Sequence, residues 1–328
     1  MSFKICVVGC GAIANTMHGP AYVKYAAENK DAMLAGCCDI DEKKSIAFQN
    51  DFGFLQAYTD MDAMLAQQKP DAVCLMTTVE STAELAEKIL AAGIPMIMEK
   101  PPGKTPEVTM RLADIAAKRH VPVRVAFNRR YAPLVRRMKT LLADSGERIQ
   151  SLQYEMLRID RPDSDFSTTA IHALDAVRFI TGADFKAIRF EYAAYPELGE
   201  NVADTHMQCI MGNGTIVNLS ICPVTGMNSE KAVVNLHGDT LILDFLGNAV
   251  NLTGRLIHLR KGDVILSING GDTPDGSARF EREGFYWENK SFFDDIIAGK
   301  KPEGDLASAV QSVAAAECMR NRARKYRG

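Results

Sequence analysis

The chain has 328 residues, of which 47% are hydrophobic and 24% are charged, and at about 150 residues per domain this length predicts two domains. Its 24 glycines and 13 prolines follow no period, so the composition excludes collagen-like and disordered chains. The 38 basic and 41 acidic residues leave a net charge of -3. That charge gives no electrostatic reason to expect nucleic acid or an anionic membrane as a partner.

Neither a leader nor a membrane span is visible in the sequence. The first apolar run is too short for a signal peptide, and no apolar stretch reaches the roughly 18 residues that cross a bilayer. We therefore expect a cytoplasmic protein. The eight cysteines form no CxxC pair, which favours reduced core thiols over disulfides or a zinc site, and we predict no bound metal.

The first third of the chain alternates between short apolar segments and amphipathic ones. The apolar segments have the composition of buried parallel strands, and they are 4–9, 32–38, 71–76, 94–98 and 122–127. Helical periodicity marks 80–92, which Gly93 closes, and 106–119, which Pro106 opens. The alternation predicts a doubly wound parallel sheet over residues 1–127.

After residue 128 the pattern changes to segments with the partial alternation of half-buried strands. These segments are 151–159, 186–194, 204–211 and 215–222. Gly212-Asn213-Gly214 predicts a hairpin turn between the last two, and further hairpins are expected near Gly238 and Gly262. Helices are predicted near 169–180, 283–298 and 305–324. Residues 128–328 are thus predicted to form an α/β domain with a largely antiparallel sheet.

A glycine-rich turn follows the first predicted strand and opens a helical segment. It reads Gly9-Cys10-Gly11-Ala12-Ile13-Ala14. Gly9 permits a tight turn, Gly11 lets a pyrophosphate approach the backbone, and Ala14 allows the helix to pack closely on the strand, as in Rossmann domains. Amide groups from Cys10 to Ile13 would hold the phosphates. A tight turn of any α/β protein is the alternative interpretation.

Asp39 ends the second predicted strand, at the distance where a carboxylate accepts hydrogen bonds from an adenosine ribose. A carboxylate there repels a 2'-phosphate and no arginine follows it, so we expect NAD as the cofactor. Lys43 and Lys44 leave NADP open as the less favoured cofactor. Alternatively, Asp39 caps the next helix, a role for which Asp41 is equally suited.

Five segments together resemble the Gfo/Idh/MocA family, which includes glucose-fructose oxidoreductase and inositol 2-dehydrogenase. The segments are GCGAIA at 9–14, DAVCLMTT at 71–78, AAGIPMIMEKP at 91–101, FNRRYAP at 127–133 and IHALDAVRFITG at 171–182. They cover the chain in order, and the combination of EKP with a later HxxD is specific. The resemblance implies a Rossmann domain, a second α/β domain whose sheet often forms a dimer interface, and a site between them.

The resemblance also implies an enzyme that transfers a hydride between nicotinamide and a secondary hydroxyl of a sugar, a polyol or a related small molecule. In this family the EKP lysine, here Lys100, lies near the nicotinamide and the substrate hydroxyl. His172 would accept the proton, and Asp175 would steady it from the next helical turn. The chemistry is consistent, because alcohol oxidation needs a base for the proton and a cation for the alkoxide charge.

Further candidate site residues are named alongside this resemblance. The additional cofactor-binding candidates are Thr77, Thr78, Glu99 and Asn128. Candidates for substrate contact are Arg129, Thr168 and Tyr286. His18, on the first helix, is a further candidate for the cofactor cleft. A homodimer or homotetramer through the second sheet is expected.

One departure from the family pattern concerns the proposed base. Inositol dehydrogenase-like members carry an aspartate four residues before the histidine, where this chain has Thr168. Asp165 could replace that carboxylate if the helix begins earlier than predicted. Thr168 favours a second hypothesis, a non-catalytic dinucleotide-binding or sensor protein. A third is an NAD-using glycosidase, for which the sequence has no distinguishing motif.

Overall fold

The computed structural model describes residues 2–246, 253–273, 276 and 278–328. The chain divides into two compact units. The first comprises Met1–Asn128 and Gly284–Val310, and the second comprises Arg129–Glu283 and Gln311–Gly328. Within the described part of the chain, every helix is too short or too polar to cross a membrane.

The first unit contains a six-stranded parallel sheet with strand order β3-β2-β1-β4-β5-β6. Its strands are β1 (Phe3–Val8), β2 (Ala32–Cys38), β3 (Gln56–Tyr58), β4 (Ala72–Leu75), β5 (Met96–Met98) and β6 (Val123–Val125). Its helices are α1 (Gly19–Glu28), α2 (Glu42–Phe52), α3 (Met61–Gln68), α4 (Val79–Ala91), α5 (Pro106–Arg119) and α9 (Phe285–Ile297). The predicted doubly wound parallel sheet is confirmed.

The predicted bounds of β2 and α5 agree with the structure residue for residue. Pro106 occupies the first turn of α5, and the Thr105 side chain caps it by accepting a hydrogen bond from the Val108 amide. A π-helical turn over Ala14–His18, which the sequence pattern does not reveal, precedes α1. All eight cysteines are free thiols, and seven of them are buried.

Residues 284–310 pack in the first unit, although the sequence pattern places them in the second domain. The reason is visible at Arg124, a fully buried arginine in β6. Its guanidinium donates to the carbonyls of Glu303 and Glu288 and pairs with Asp295 at 3.0 Å. A buried arginine needs several acceptors, and this C-terminal segment supplies them.

The second unit contains a nine-stranded sheet with strand order β14-β13-β12-β11-β7-β10-β9-β8-β15. Its strands are β7 (Ser151–Ile159), β8 (Phe185–Ala194), β9 (Ala203–Met211), β10 (Ile216–Thr225), β11 (Ser229–Asn235), β12 (Asp239–Asp244), β13 (Arg255–Arg260), β14 (Asp263–Asn269) and β15 (Lys325–Arg327). Its helices are α6 (Pro133–Ser145), α7 (Ser167–Thr181) and α8 (Arg279–Arg282). Helix α10 (Leu306–Arg320) contributes residues to both units.

Antiparallel pairing dominates this second sheet, as predicted. The β7–β10 pair is parallel, and the other neighbouring strands are antiparallel. The predicted hairpins at Gly214, Gly238 and Gly262 are present, and all three glycines have positive φ. Along β10, Val217, Leu219 and Ile221 are buried, whereas Ile216 and Asn218 are exposed.

Candidate active site

The glycine-rich turn at the end of β1 is shaped by Gly9. This residue has φ +95, and a Cβ on it would lie 2.4 Å from the Met76 carbonyl oxygen, so no other residue type fits. Two residues later, Gly11 has open space where its Cβ would be. Ala12 and Ile13 are exposed at the start of the following helical segment, whereas Ala14 is fully buried against the sheet. This arrangement fits a pyrophosphate beside the backbone.

Asp39 lies beside this turn and orients it. Its Oδ2 atom accepts a hydrogen bond of 2.8 Å from the Cys10 amide, and its Oδ1 atom accepts one of 3.0 Å from the Asp41 amide. The cap of α2 is Asp41, whose side chain accepts from the Lys43 amide. Asp39 therefore does not act as the helix cap. The next residue, Ile40, is 96% exposed, which places an apolar surface rather than a basic group directly after the carboxylate.

The other predicted cofactor residues of the first unit lie at the same edge of the sheet, because the carboxyl ends of parallel strands meet there. Thr77 and Thr78 follow β4, and the Thr77 hydroxyl is 3.0 Å from the hydroxyl of Thr82. Glu99 and Lys100 follow β5 directly. Asn128, which is 1% exposed, begins a short 3-10 turn after β6.

Glu99 is a buried carboxylate held by two donors. Its Oε1 atom lies 3.0 Å from His18 Nε2, and its Oε2 atom accepts a 3.1 Å hydrogen bond from the Lys100 amide. Burial acts to raise the pKa of Glu99, but the bond to His18 and the charge of Lys100 outweigh it, and the pKa is lowered. Lys100 itself is half-buried beside this anion.

His172 lies in the second unit, near the middle of α7, and is 8% exposed. Asp175, one turn later, is buried and faces Arg130. The Arg130 Nε atom is 2.7 Å from Asp175 Oδ2 and its Nη2 atom is 2.5 Å from Asp175 Oδ1. Both carboxylate oxygens therefore bind a cation. The predicted support of His172 by Asp175 stays a prediction.

The Thr168 hydroxyl donates to the carbonyl of Asp165 at the start of α7. The helix begins at Ser167, so Asp165 is not a helical residue, as it would have to be to replace the missing acid. Asp165 precedes the helix and accepts hydrogen bonds from the amide and hydroxyl of Ser167. The Asp165 carboxylate stabilises the start of the helix. Asp165 does not belong to the helical face that contains His172.

Arg129 belongs to a buried cluster that the sequence does not reveal. Glu230, fully buried in β11, accepts hydrogen bonds from Arg129 at 3.0 Å, from Arg158 at 2.6 Å and from the hydroxyl of Tyr154 at 2.8 Å. Burial alone would raise the pKa of Glu230, but the two arginines beside it lower that pKa to about 2. An arginine within a half-buried strand, such as Arg158 in β7, indicates a buried partner, but the sequence does not identify that partner.

Tyr286, a predicted substrate contact, is 1% exposed on α9 in the first unit. Its hydroxyl donates to Glu28 on α1, and the ammonium of Lys24 lies 4.8 Å from its ring centre. These contacts give the ring a packing role between two helices. The substrate contact of Tyr286 stays a prediction.

The parallel sheet, the glycine-rich turn and the carboxylate at the end of β2 are the parts of a dinucleotide-binding domain. A sequence model of the GFO_IDH_MocA family, described as an oxidoreductase family with an NAD-binding Rossmann fold, matches residues 3–127. Residues 3–127 therefore belong to the Gfo/Idh/MocA oxidoreductase family. The resemblance of the sequence motifs to this family is confirmed.

Curated relatives of known activity are similar over part of their length. The chain is 24% identical to D-glucoside 3-dehydrogenase of Escherichia coli over 57% of this chain and 55% of that protein. It is 27% identical to D-apiose dehydrogenase of Rhizobium rhizogenes over 72% of this chain and 71% of that protein.

Solved structures share the fold over the full chain. An oxidoreductase from Agrobacterium radiobacter, solved with NAD+, L-tartaric acid and magnesium, has a TM-score of 0.81 at 19% identity, covering 100% of this chain and 98% of that one. Levoglucosan dehydrogenase, solved with NADH and levoglucosan, has a TM-score of 0.84 at 16% identity, covering 100% and 99%.

Proposed function

We propose that this protein is an NAD-dependent dehydrogenase that oxidises a secondary hydroxyl of a sugar or polyol. The observation that carries the proposal is the position of Lys100. It follows β5 at the same sheet edge as the Gly9 turn after β1 and Asp39 after β2. A cation at the edge where a Rossmann domain holds its dinucleotide is suited to stabilise alkoxide charge.

The first unit has the residues that would hold the cofactor. Amides of the turn from Cys10 to Ile13 would bind the pyrophosphate, and Asp39 would accept the ribose hydroxyls. When bound, NAD supplies the nicotinamide carbon that takes up the hydride. We favour NAD over NADP because the Asp39 carboxylate repels a 2'-phosphate and the exposed side chain of Ile40 has no donor for it.

The remaining steps belong to side chains of this chain. Lys100 stabilises the negative charge that develops on the substrate oxygen, and His172 accepts the hydroxyl proton. Arg129 and Thr168 are proposed to position the substrate, and Asp175 is proposed to steady His172. Relatives named for glucosides and apiose, and a neighbour holding levoglucosan, support a polyhydroxylated substrate.

The proposal is tested by measuring NADH formation by the purified protein with a panel of polyols. The panel contains methyl glucoside, D-apiose, myo-inositol, levoglucosan and L-tartrate, each offered with NAD and with NADP. We expect NADH to form with at least one sugar or polyol, and Lys100→Met to abolish most of the signal. Cofactor binding without turnover on any compound would contradict the proposal.

That negative result would instead support the second candidate, a dinucleotide-binding sensor. Thr168 favours this alternative, since it replaces a family acid and its hydroxyl donates to the helix start. Hydrolysis of aryl glycosides without net NADH formation would identify the third, a glycosidase. The panel and a glycoside assay therefore separate all three functions.

We also propose a homodimer or homotetramer built on the open face of the second sheet. The sequence along 215–222 and 231–237 predicts an apolar face. In the structure it is mixed: Asn218 and Lys231 point outward, whereas Val233 pairs with Ile242, which pairs with Ile257. Such a row of half-buried apolar side chains across three strands supports association. The cytoplasmic location stays a prediction.

A further inference from the structure

Three residues of the first unit form a buried hydrogen-bonded series that ends at Lys100. Asn289 on α9 and His18 at the end of the π-helical turn are fully buried, and Glu99 is 7% exposed. Asn289 Nδ2 lies 3.0 Å from His18 Nδ1, and His18 Nε2 lies 3.0 Å from Glu99 Oε1. The second oxygen of Glu99 binds the Lys100 amide.

The direction of each hydrogen bond follows from the carbonyl of Phe285. Asn289 Nδ2 donates to that carbonyl at 2.8 Å, so the nitrogen of the amide, not its oxygen, faces Phe285 and His18. His18 Nδ1 must then accept, which leaves the proton on Nε2, where it is donated to Glu99. Nε2 of His18 therefore faces Glu99 as the donor, and Nδ1 faces Asn289 as the acceptor. The orientation of the His18 ring is also fixed, since the Phe285 ring packs edge-on at 5.0 Å.

Glu99 keeps its charge because of these donors. Without His18, one of the contacts that lower the pKa of Glu99 would be lost, and the carboxyl would take up a proton more readily. The titratable groups that face Glu99 are His18 from the π-helical turn, Lys100 from its own segment and Tyr22 from α1. Tyr22 also lies close to Glu288 of α9 and Cys74 of β4. His18 is the donor that bonds Glu99 directly from outside its own segment.

We propose that His18 and Asn289 are positioning residues for Lys100, acting through Glu99, whose carboxylate fixes the Lys100 backbone and keeps a negative charge beside its ammonium. The proposal rests on the proposed function for the statement that Lys100 is catalytic. His18 itself has no contact with solvent and does not belong to the glycine-rich turn. Loss of either donor is expected to change the ionisation and the direction of Lys100 without removing it.

The test measures Lys100 directly and needs no substrate. Amine-selective labelling of the full-length protein, read by mass spectrometry across a pH series, gives the pH at which Lys100 is half-modified. In His18→Ala, the Glu99 carboxylate is no longer held in place beside Lys100, so this midpoint should fall by about one pH unit. His18→Gln should restore it, because its amide can donate to Glu99. His120→Asn, a change at an exposed histidine of the same unit, is the matched control and should have no effect.

A second arm uses the substrate that the polyol panel identifies. His18→Ala should lower kcat at least about tenfold while the dissociation constant for NAD changes by less than about twofold, because the reacting cation is misplaced but the cofactor cradle is intact. Asn289→Leu should give a smaller shift of the same sign, and it provides a second measurement if His18→Ala does not fold. Thermal unfolding of each variant verifies the fold.

The outcomes separate the two proposals. A labelling midpoint for Lys100 that is unchanged in both His18→Ala and Asn289→Leu would overturn the positioning role. A shift that appears equally in His120→Asn would also overturn it. Full activity of Lys100→Met would instead overturn the catalytic role of Lys100. The labelling result would still test the positioning role of His18 and Asn289.

Discussion

Arg130 and Asp175 form a bidentate ion pair, with donor–acceptor distances of 2.7 and 2.5 Å, in which the carboxylate is buried. Planar pairs of this kind hold both partners in one geometry. Asp175 therefore anchors α7 to the short turn after β6. Removing the Asp175 carboxylate would remove both of these hydrogen bonds to Arg130.

We expect His172→Ala to reduce turnover less than Lys100→Met does. The structure has no acid at position 168 to orient the ring, so His172 is expected to be a weaker base, and water or Lys100 carries the remaining proton transfer. Thr168→Asp should then raise turnover and steepen the acid side of the pH profile of kcat. Complete inactivity of His172→Ala, with no gain in Thr168→Asp, would show that the histidine needs no carboxylate there. Asp165→Asn, at the helix start, serves as the control.

Lys100→Met should lower kcat by at least about a hundredfold and leave the affinity for NAD nearly unchanged. The substitution keeps an apolar side chain of similar length but removes the cation that is proposed to face the developing alkoxide charge. Steady-state kinetics and calorimetric titration with NAD provide the two measurements. Normal kcat in this variant would make Lys100 an ordinary lysine of the loop after β5. Lys104→Met, a change at an exposed lysine near it, is the matched control.

NAD should bind more tightly than NADP, and Asp39→Asn should reduce that preference. An asparagine can still accept from the Cys10 amide, so the turn is kept, but the charge that repels a 2'-phosphate is lost. Loss of charged hydrogen bonds to the ribose should weaken NAD binding by about 1.5 to 3 kcal/mol, which is about ten- to a hundredfold. Calorimetry with both cofactors measures this. A preference for NADP that Asp39→Asn leaves intact would show that another group reads the ribose.

Glu230→Gln should lower the free energy of unfolding by about 3 to 5 kcal/mol at neutral pH, because two buried arginines lose their shared carboxylate. The folded-state pKa of Glu230 is about 2, below its ordinary value of 4.5. The carboxylate's contribution is thus complete above about pH 4.5 and is lost as the pH falls through about 2.

Urea denaturation of wild type and Glu230→Gln between neutral pH and pH 3 measures this difference, which should narrow toward the acid end. Glu191→Gln removes an exposed partner of Arg189 and Arg324 and should change little. Equal stability of Glu230→Gln and wild type at neutral pH would contradict the account of the cluster.

Light scattering at micromolar concentration should show a dimer or tetramer. Ile242→Lys would place a charge in the apolar row between Val233 and Ile257, and it should shift the protein toward monomer. Lys231→Ala, at an exposed polar position of the same face, should leave the assembly intact. A wild-type protein that is only monomeric would refute association through this sheet.

The sequence predicts well those elements whose pattern is long and local. The bounds of β2, α5 and β7 agree with the structure, because a continuous apolar run, a proline at a helix start and regular alternation each mark their ends. The three-residue strands β3 and β15 have no such pattern. They form because β2 and β8 have backbone groups at the sheet edge with which β3 and β15 pair. Such an edge exists only once the sheet has folded.

The site residues also differ in whether the sequence alone can identify them. Gly9 and Asp39 could be identified because a turn glycine and a strand-end acid stand at characteristic spacings. The Asn289–His18–Glu99 series could not, since its members are separated by up to 271 residues and Glu99 alone lies in one of the motifs named above. Arg124 is an intermediate case. A charge within a buried strand indicates that acceptors lie nearby, but the sequence does not show that residues 284–310 supply them.

That dependence of β6 on a distant segment affects how the protein is made. As the chain leaves the ribosome, residues 3–127 emerge long before Glu288 and Glu303, whose carbonyls the Arg124 guanidinium requires. Until then Arg124 has no acceptors from that segment, and Phe3 and Tyr25 have no Phe293 ring to pack against. The nucleotide-binding unit, although it begins at the N-terminus, therefore completes its folding only after most of the second unit has been synthesised.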